Sequence, residues 1–525
     1  MDGRFGFESR GGVSRRWFIG AMASAGAAAG CRQLGCACEE TPLLRFGVVS
    51  DVHMRLSADG RTLERAYDTA TFERTLAFFR DNGADAVVIA GDIADSGLFG
   101  ELKAMADAWY RVFPGDRAPD GRKVERIFVF GNHDAFGLKN GSRVFKDAAA
   151  LRMEAIEADP VRAWDACFHE EWKPFFSKNV KGYDFFCSHW KPGVWCNGIA
   201  ETGCSGCGDA FRAAMAKCDP SKPFFYVQHP HPRDTVYGNC AWGQDDGSAT
   251  KLLSAFPQAV AFSGHSHEPL TNEKAIWRGA FTSVATGSLR YLSAGAVWNR
   301  ECTAGYENGG CNYYLPGVTR ADRPAYISKY DAPKVMPSET SRFDIRVGQL
   351  VSVYGDRIVF EKREFESGLV LCDDWTVELP AKPRSFSVRA TETAHSEFPA
   401  GAALAAKVAE GETRGMKPYG GAPAIAPAKT PVVELEFPSA AKGGRVAEYE
   451  IALSSPAGWR RTTRICALDG LYPAGHAKAF GKVSVKVPVS AAAAEAGVEA
   501  VVTPLDSFGG RGRALAAKAS RKSGT

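Results

Sequence analysis

The feature that most constrains this chain is a set of five short apolar runs in its first half, each ending in Asp, Asn or His. In the clearest of them, Ala86–Asp95, small and β-branched residues stop at Gly91 and are followed by Asp92. Such a run favours a buried strand, and the Gly-Asp pair favours a turn at its carboxyl end. Open α/β sheets place their sites at the carboxyl ends of strands. The pattern therefore predicts an α/β fold with one polar site built from several loops.

The other four runs end in side chains of the same kind. Together the five runs are followed by Asp51 and His53, Asp92 and Asp95, Asn132 and His133, His229, and His265 and His267. Residues 61–80 carry apolar positions at helical spacing, and a second helical stretch covers residues 98–112. The order strand, helix, strand predicts a βαβ unit, and therefore parallel strands whose loops gather at one edge.

In this order the motifs are recognisable as a set. Asp-x-His, Gly-Asp-x-x-Asp, Gly-Asn-His-Asp, His and Gly-His-x-His resemble the calcineurin-like metallophosphoesterase superfamily over roughly residues 43–365. The resemblance implies a four-layer α/β/β/α sandwich. Purple acid phosphatases of this superfamily differ from this chain, because they have Tyr at the position of Asp95 and no His at the position of His53. The chain is most similar to the small bacterial phosphodiesterases.

The resemblance implies a dinuclear centre that shares one carboxylate. One ion would be held by Asp51, His53, Asp92 and His267, and the other by Asp92, Asn132, His229 and His265. Oxygen and nitrogen ligands without thiolate suit Mn, Fe, Zn or Co. The implied reaction is attack of a metal-bridging hydroxide on the phosphorus of a phosphodiester or phosphomonoester.

Three further residues have predicted roles beside the metals. His133 would stabilise the transition state or protonate the leaving group, and Asp95 would orient its imidazole. The alternative is that both make only loop hydrogen bonds. His231, in the run His229-Pro-His231-Pro, would contact substrate, with packing behind the ligands as the alternative. Asp134 has no predicted role.

The N-terminus predicts export. The segment Ser14–Ile19 contains Arg15-Arg16 and precedes an Ala- and Gly-rich run that is too short and too weakly apolar to span a membrane stably. It resembles the bacterial twin-arginine (Tat) signal, so residues 1–40 are predicted to be a signal peptide and linker, and the protein to be periplasmic or in the cell envelope. Ala29-Gly30-Cys31 also resembles a lipoprotein site, so a lipidated Cys31 is the alternative to simple cleavage.

The catalytic domain is predicted to span residues 41–379 and to contain an insertion at residues 135–223 that is rich in Trp, Phe and Cys. The insertion would form the wall or lid of the substrate pocket, or else a structural cap. Nine of the 14 Cys lie between residues 167 and 311. In an oxidising compartment they predict disulfides, and the alternative is half a zinc knuckle at Cys204-Ser-Gly-Cys207.

The rest of the chain predicts β structure. Residues 350–361 form a hairpin pattern around Gly355-Asp356, which resembles the strands that complete the second sheet of a metallophosphoesterase sandwich. Residues 380–525 predict an all-β sandwich, in which residues 501–510 resemble the last strand of a fibronectin type III-like domain. The basic stretch from Arg511 onward is predicted to be a frayed tail.

The net charge of the chain limits the classes of binding partner that are expected. The net charge of +4 becomes +2 without residues 1–30, which hold four Arg and two acidic residues. This near-neutral balance excludes a general nucleic-acid binder, and a small phosphate ester is the expected substrate. A second class stays open: an exported, non-catalytic metal-binding or interaction protein with the β-sandwich as its binding module. No sequence feature indicates the oligomeric state.

Overall fold

A computed structural model describes most of the chain from residue 40 onward. The described residues are 40–57, 62–137, 159–191, 207–237, 243–293, 342–343, 345–383, 396–412, 429–440, 446–467, 471, 473, 481–507 and 510–520. The predicted export signal and Cys31 lie outside these ranges. None of the helices within them combines the length and apolar character that crossing a membrane requires. Pro42–Thr525 forms one compact unit, so the predicted boundary between residues 379 and 380 stays a prediction.

Up to residue 263 the described strands and helices alternate except for one pair of consecutive strands, and strands dominate after it. The strands are β1 Leu44–Val49, β2 Ala86–Ala90, β3 Glu125–Val129, β4 Phe175–Val180, β5 Tyr183–Ser188, β6 Phe224–Val227, β7 Ala259–Ser263, β8 Ile276–Arg278, β9 Thr282–Ala285, β10 Leu292–Ser293, β11 Arg342–Phe343, β12 Val347–Val353, β13 Arg357–Glu364, β14 Val370–Glu378, β15 Ala405–Glu412, β16 Lys429–Pro438, β17 Glu448–Ser454, β18 Arg460–Cys466, β19 Lys482–Pro488, β20 Val498–Leu505 and β21 Leu515–Ala519. The α-helices are α1 Ala66–Asp81, α2 Phe99–Val112, α3 Pro160–Phe168, α4 Cys207–Met215, α5 Ser248–Leu253 and α6 Ala491–Ala496.

The first sheet has the strand order β14-β13-β12-β1-β2-β3. Strands β1, β2 and β3 are parallel and are joined by helices, as the βαβ pattern predicts. The predicted hairpin forms as β12 and β13, but its predicted place in the second sheet is wrong. Strand β12 pairs antiparallel with β1, so the hairpin covers the open side of β1 and extends the first sheet.

The second sheet has the order β4-β5-β6-β7-β9-β8, with parallel pairing from β5 to β9. Strands β4 and β5 lie inside the predicted insertion, so this part of it belongs to the central fold and is not a lid. Trp164 of α3 is also buried, at 3% exposure, and packs on the outer side of the first sheet. Of the insertion's Trp side chains that the structure describes, Trp190 reaches a predicted ligand, with its ring centroid 5.8 Å from that of His265.

The two sheets pack face to face. Phe46 of β1 contacts Phe225 of β6 and Phe262 of β7, with ring centroids 4.8 and 5.8 Å apart. Helices α1, α2 and α3 bury their apolar faces against the other side of the first sheet, and α4 and α5 do so against the second. The layers are therefore α/β/β/α, as the sequence predicts, and the carboxyl ends of the parallel strands in both sheets meet at one end of the sandwich.

Where the structure describes the C-terminal region, its regular elements are β-strands apart from the short helix α6. Sheets β15-β16-β19 and β18-β17-β20-β21 are antiparallel and enclose a core that includes Leu435, Phe437, Tyr449 and Ile451. This confirms the predicted all-β region, whereas the closer resemblance to fibronectin type III stays a prediction. The predicted frayed tail is wrong for residues 511–520, because β21 pairs with β20 and buries Leu515 and Ala519 at its two ends, and the last five residues lie outside the described ranges.

The prediction of disulfides is wrong for the clustered cysteines whose side chains the structure describes. Cys167, Cys187 and Cys218, three of the nine clustered residues, are free thiols. Cys187 packs in the core between the sheets, and burial raises the pKa of its thiol. Cys167 and Cys187 are buried in two different cores, whereas Cys218 is only partly buried against a third. The side chains of the other six lie outside the described residues.

Candidate metal centre

The predicted site residues stand at the ends of strands from both sheets. The runs β1, β2 and β3 deliver residues 51–53, 92–95 and 132–133 from the first sheet, and β6 and β7 deliver residues 229 and 265–267 from the second. Backbone bonds lock the first two loops together, with the Asp51 amide donating to the Gly91 carbonyl and the His53 amide to the Asp92 carbonyl. The site is therefore assembled across two sheets.

The backbone at this site is in an uncommon conformation. Among the described residues, half of the ten non-glycine residues with positive φ are predicted ligands: Asp51 at 52°, His53 at 48°, Asp92 at 52°, His265 at 75° and His267 at 56°. A residue with a Cβ adopts a positive φ at a cost of order 1–3 kcal/mol, and residues strained in this way are concentrated at functional sites. The loops turn sharply after each strand and so direct these side chains inward.

One group of ligand atoms converges around Asp51. The Oδ1 atom of Asp51 lies 3.1 Å from His267 Nε2 and 3.8 Å from His53 Nε2. The two Nε2 atoms are 3.1 Å apart, and Asp92 Oδ2 is 3.5 Å from that of His53. Asp51, His53, Asp92 and His267 therefore form one compact group of ligand atoms that fits a divalent ion.

A second group lies on the other side of Asp92. The Oδ2 atom of Asp92 is 3.2 Å from His229 Nε2, which in turn is 3.1 Å from His265 Nδ1. Asp92, His229 and His265 are compact enough to hold a second ion. The Oδ1 atom of Asn132 is buried without a hydrogen bond among the described residues, as expected for a carbonyl oxygen whose partner is a metal ion.

The histidine tautomers fit a metal centre. The Nδ1 atoms of His229 and His267 lie 2.7 and 3.0 Å from the carbonyl oxygens of Ala90 and Tyr291. A carbonyl oxygen only accepts, so each Nδ1 carries the proton and each Nε2 is left with its lone pair facing the carboxylates. Lone pairs brought this close repel one another unless a proton or a cation lies between them. The donors present therefore fit divalent metal ions.

The carboxylates and imidazoles of the site shift one another's pKa values. Burial alone would raise the pKa of Asp51, but the neighbouring His267 and His229 outweigh it and hold the pKa at about 2. Burial likewise would lower the pKa of His229, yet Asp92 and Asp51 raise it to about 9, so at neutral pH without metal a proton occupies Nε2 at the place that a cation would take. For His53 burial prevails and lowers the pKa to about 4. The pKa of Asp92 likewise lies well below its usual value, because His229 and His133 outweigh the effect of burial, so both carboxylates are ionised at neutral pH, the form that binds cations.

The two predicted catalytic residues are close to each other and to the centre. His133 is one-third exposed, and its Nδ1 lies 2.9 Å from the backbone carbonyl oxygen of Asp95 and 3.6 Å from its Oδ1. The carboxylate of Asp95 lies nearer to His53, at 3.3 Å from its Nδ1. Asp95 therefore orients His133 through its carbonyl and His53 through its side chain, an arrangement that sequence reasoning missed.

The remaining predicted residue, His231, is fully buried. Its Nδ1 and Nε2 atoms each lie 2.8 Å from a serine hydroxyl, of Ser263 and Ser266 respectively. This placement supports packing behind the ligands over contact with substrate. Asp134, left without a role by the sequence, accepts backbone N–H groups of Ile93 and Gly131 and so ties the second and third loops together.

Two neighbours of the ligands were missed by sequence reasoning. Ser50 bonds the Asp51 carboxylate and accepts from Thr286 at 2.6 Å, which fixes that side chain from behind. Tyr291 stacks on His267 with ring centroids 4.3 Å apart. Ser50 directly precedes a predicted ligand, which is a usable signal, whereas nothing in the sequence links Tyr291 to residue 267.

The tight packing of Gly131 against Asp92 gives a first prediction. A Cβ at residue 131 would overlap Asp92 Oδ1 and lie 2.5 Å from its backbone nitrogen. We expect Gly131→Ala to displace the carboxylate and lower metal affinity by about tenfold or more, measured by titration calorimetry. Gly355→Ala is the matched control, because a Cβ there meets nothing within 4 Å. Equal affinities in both variants would contradict this account of the site.

Comparisons with known proteins agree with this chemistry. Residues 44–269 match the family model described as Calcineurin-like phosphoesterase, so this part of the chain is a calcineurin-like phosphoesterase domain. No curated protein matches the chain.

The similarities to solved structures are distant. A dimetal phosphatase from Danio rerio is 13% identical with a TM-score of 0.34, over 64% of this chain and 99% of that one. The purple acid phosphatase PPD1 from yellow lupin (Lupinus luteus) seeds is 13% identical with a TM-score of 0.36, over 64% and 53%. Phosphopantetheinyl hydrolase from Mycobacterium tuberculosis is 15% identical with a TM-score of 0.27, over 46% and 89%.

Proposed function

We propose that this protein is a metal-dependent phosphoesterase that hydrolyses a small phosphodiester or phosphomonoester. The observation that carries the proposal is the convergence of two ionised carboxylates and four imidazoles whose ring nitrogens face the carboxylates and one another. Asp51, His53, Asp92 and His267 would hold one divalent ion, and Asp92, Asn132, His229 and His265 the other. When bound, such ions lower the pKa of water to give a nucleophile and neutralise the charge that develops on phosphorus.

The chain's own residues then have distinct tasks. Asp92 lies between the two groups and fixes their separation, since its Oδ2 faces His53 on one side and His229 on the other. Its Oδ1 accepts the His133 backbone N–H at 2.9 Å, which ties the loop of His133 to the centre. The His133 ring is anchored at Nδ1, so Nε2 is the atom that, in the imidazolium form, would stabilise the phosphoryl group or pass its proton to the leaving oxygen.

The direct test is hydrolysis of bis-p-nitrophenyl phosphate and of p-nitrophenyl phosphate by the chain without residues 1–40. Metals are removed first, and Mn, Fe, Zn or Co is then restored singly. We expect no turnover without metal and clear turnover with at least one ion. The ratio of the two rates separates a diesterase from a monoesterase. Folded protein that binds the ions but turns over neither ester would reject the proposal.

That negative result would favour the second class, a non-catalytic metal-binding protein with the β-sandwich as binding module. We favour the enzyme because Asn132 and both carboxylates are present together with the one-third exposed His133, which a structural metal site does not need. Export by a Tat-like route, a periplasmic or cell-envelope location, and attachment through a lipidated Cys31 remain parts of the proposal. They are testable by fractionating cells that express the full chain.

A further inference from the structure

A buried carboxylate beside the site is held by an arginine that has no predicted role. Arg55 follows His53 by two residues and binds Asp95 through two N–H groups on one edge of its guanidinium. Its Nε lies 2.8 Å from Asp95 Oδ2, and its Nη2 lies 3.0 Å from Oδ1. Asp95 is 8% exposed and the Arg55 side chain is 30% exposed, so the carboxylate is shielded from water and the guanidinium partly so. A bidentate, charge-assisted pair of this kind fixes both the position and the rotation of the carboxylate.

The rotation of the Asp95 carboxylate matters because the same carboxylate also contacts His53. With Oδ2 bound to Arg55, Oδ1 faces His53 Nδ1 at 3.3 Å. An ionised carboxylate only accepts, so His53 carries its proton on Nδ1 and presents a lone pair at Nε2 toward Asp51 and Asp92. The tautomer of this histidine thus depends on where Asp95 is held. His229 and His267 differ, because backbone carbonyls anchor their Nδ1 atoms.

The guanidinium also ties two loops. Arg55 lies in the loop after β1, and Asp95 lies in the loop after β2, where its backbone N–H donates to the Met54 carbonyl at 2.8 Å. The backbone carbonyl of Asp95 accepts from His133. The Arg55–Asp95 pair therefore sets the orientation of His53, a predicted ligand. Asp95 is also hydrogen-bonded to His133, the predicted acid.

We propose that Arg55 is a positioning residue of the metal centre, acting through Asp95 on His53. It sets the affinity of the group formed by Asp51, His53, Asp92 and His267 and leaves the group around His229 and His265 unaffected. The inference rests on the proposed function only in assuming that the centre binds divalent ions. Contact of Arg55 with Glu64, at 3.5 Å, is looser and concerns a half-exposed carboxylate, so it does not account for this geometry.

The test measures binding rather than turnover. Metal-free protein is titrated with Mn²⁺ by calorimetry, as wild type, Arg55→Met and Arg55→Lys. Methionine keeps the apolar stem without the charge, and we expect one of two affinities to fall by about tenfold or more while the other is unchanged. Lysine keeps the charge but not the bidentate grip, so a smaller fall is expected and the variant stays informative where Arg55→Met does not fold.

Two controls make the outcome specific. Arg111→Met removes an exposed arginine that pairs with Glu73 at 2.8 Å, and it is expected to leave both affinities unchanged. In an His53→Ala background, Arg55→Met is expected to cause no further loss, because the residue through which it acts is gone. Nitrogen NMR of labelled histidines should show the His53 Nδ1–H tautomer in wild type and its loss in Arg55→Met.

Unchanged affinities and an unchanged His53 tautomer in folded Arg55→Met and Arg55→Lys would overturn the inference. An equal loss at both sites would overturn it as well, because that result points to general destabilisation. Wild-type protein that binds no divalent ion would instead reject the proposed function, so the two failures are distinguishable.

Discussion

Replacement of Asp92 by Asn is expected to lower kcat by at least about 10³-fold and to weaken both metal groups at once. The reason is geometric, since Asp92 Oδ2 lies 3.5 Å from His53 Nε2 and 3.2 Å from His229 Nε2 and so belongs to both groups. Asparagine has the same shape, but it brings no charge to attract the cations. Metal titration and steady-state kinetics at saturating metal measure the two effects separately.

The fold should survive this change. Asp92 is 1% exposed, and a neutral amide removes one of two neighbouring buried carboxylates. Asp107→Asn is the matched control, because Asp107 is exposed and pairs with Lys103 on the surface of α2, where an ion pair contributes little. Turnover of Asp92→Asn equal to that of the control, in protein with an unchanged thermal transition, would reject the mechanism.

Replacement of His133 by Asn is expected to lower kcat by about 10² to 10³-fold for esters with poor leaving groups and by less than about tenfold for p-nitrophenyl esters. A poor leaving oxygen needs a proton as its bond to phosphorus breaks, whereas p-nitrophenolate leaves unaided. The measurement is kcat for a series of aryl methyl phosphodiesters whose phenols differ in acidity. The dependence on leaving-group acidity should be steeper in the variant.

His169→Asn is the control for this prediction. His169 is exposed at the carboxyl end of α3 with φ 53° and ψ 37°, a conformation that asparagine tolerates. An equal loss of rate for every leaving group would assign His133 to charge stabilisation and not to proton transfer. No loss at all would leave it with a loop hydrogen bond only, the alternative that the sequence kept open.

The candidate centre was readable from sequence because each predicted ligand directly follows a buried strand. Runs such as Ala86–Ala90 clearly indicate a strand, and Gly91 marks the turn that directs the next side chain into the site. The order of the motifs then pointed to the family that residues 44–269 match. Periodicity likewise located the hairpin of β12 and β13, because that pattern is local.

Predictions about pairing in space did less well. The same hairpin was assigned to the wrong sheet, since alternation of side chains shows that a strand exists but not which strand it pairs with. Residues 175–188 were taken for part of an insertion although they form β4 and β5 of the second sheet. The spacing of cysteines suggested disulfides, whereas burial separates Cys167 from Cys187 in two different cores.

What the sequence by itself determined is the chemistry: which residues are available as oxygen and nitrogen ligands, and that a strand precedes each of them. Tertiary structure alone decided how these side chains are held. The grip of Arg55 on Asp95, the carbonyl anchors of His229 and His267, and the packing of His231 behind the centre all join segments far apart in the chain. Local sequence carries no trace of such contacts, because they depend on which loops two packed sheets bring to the same end.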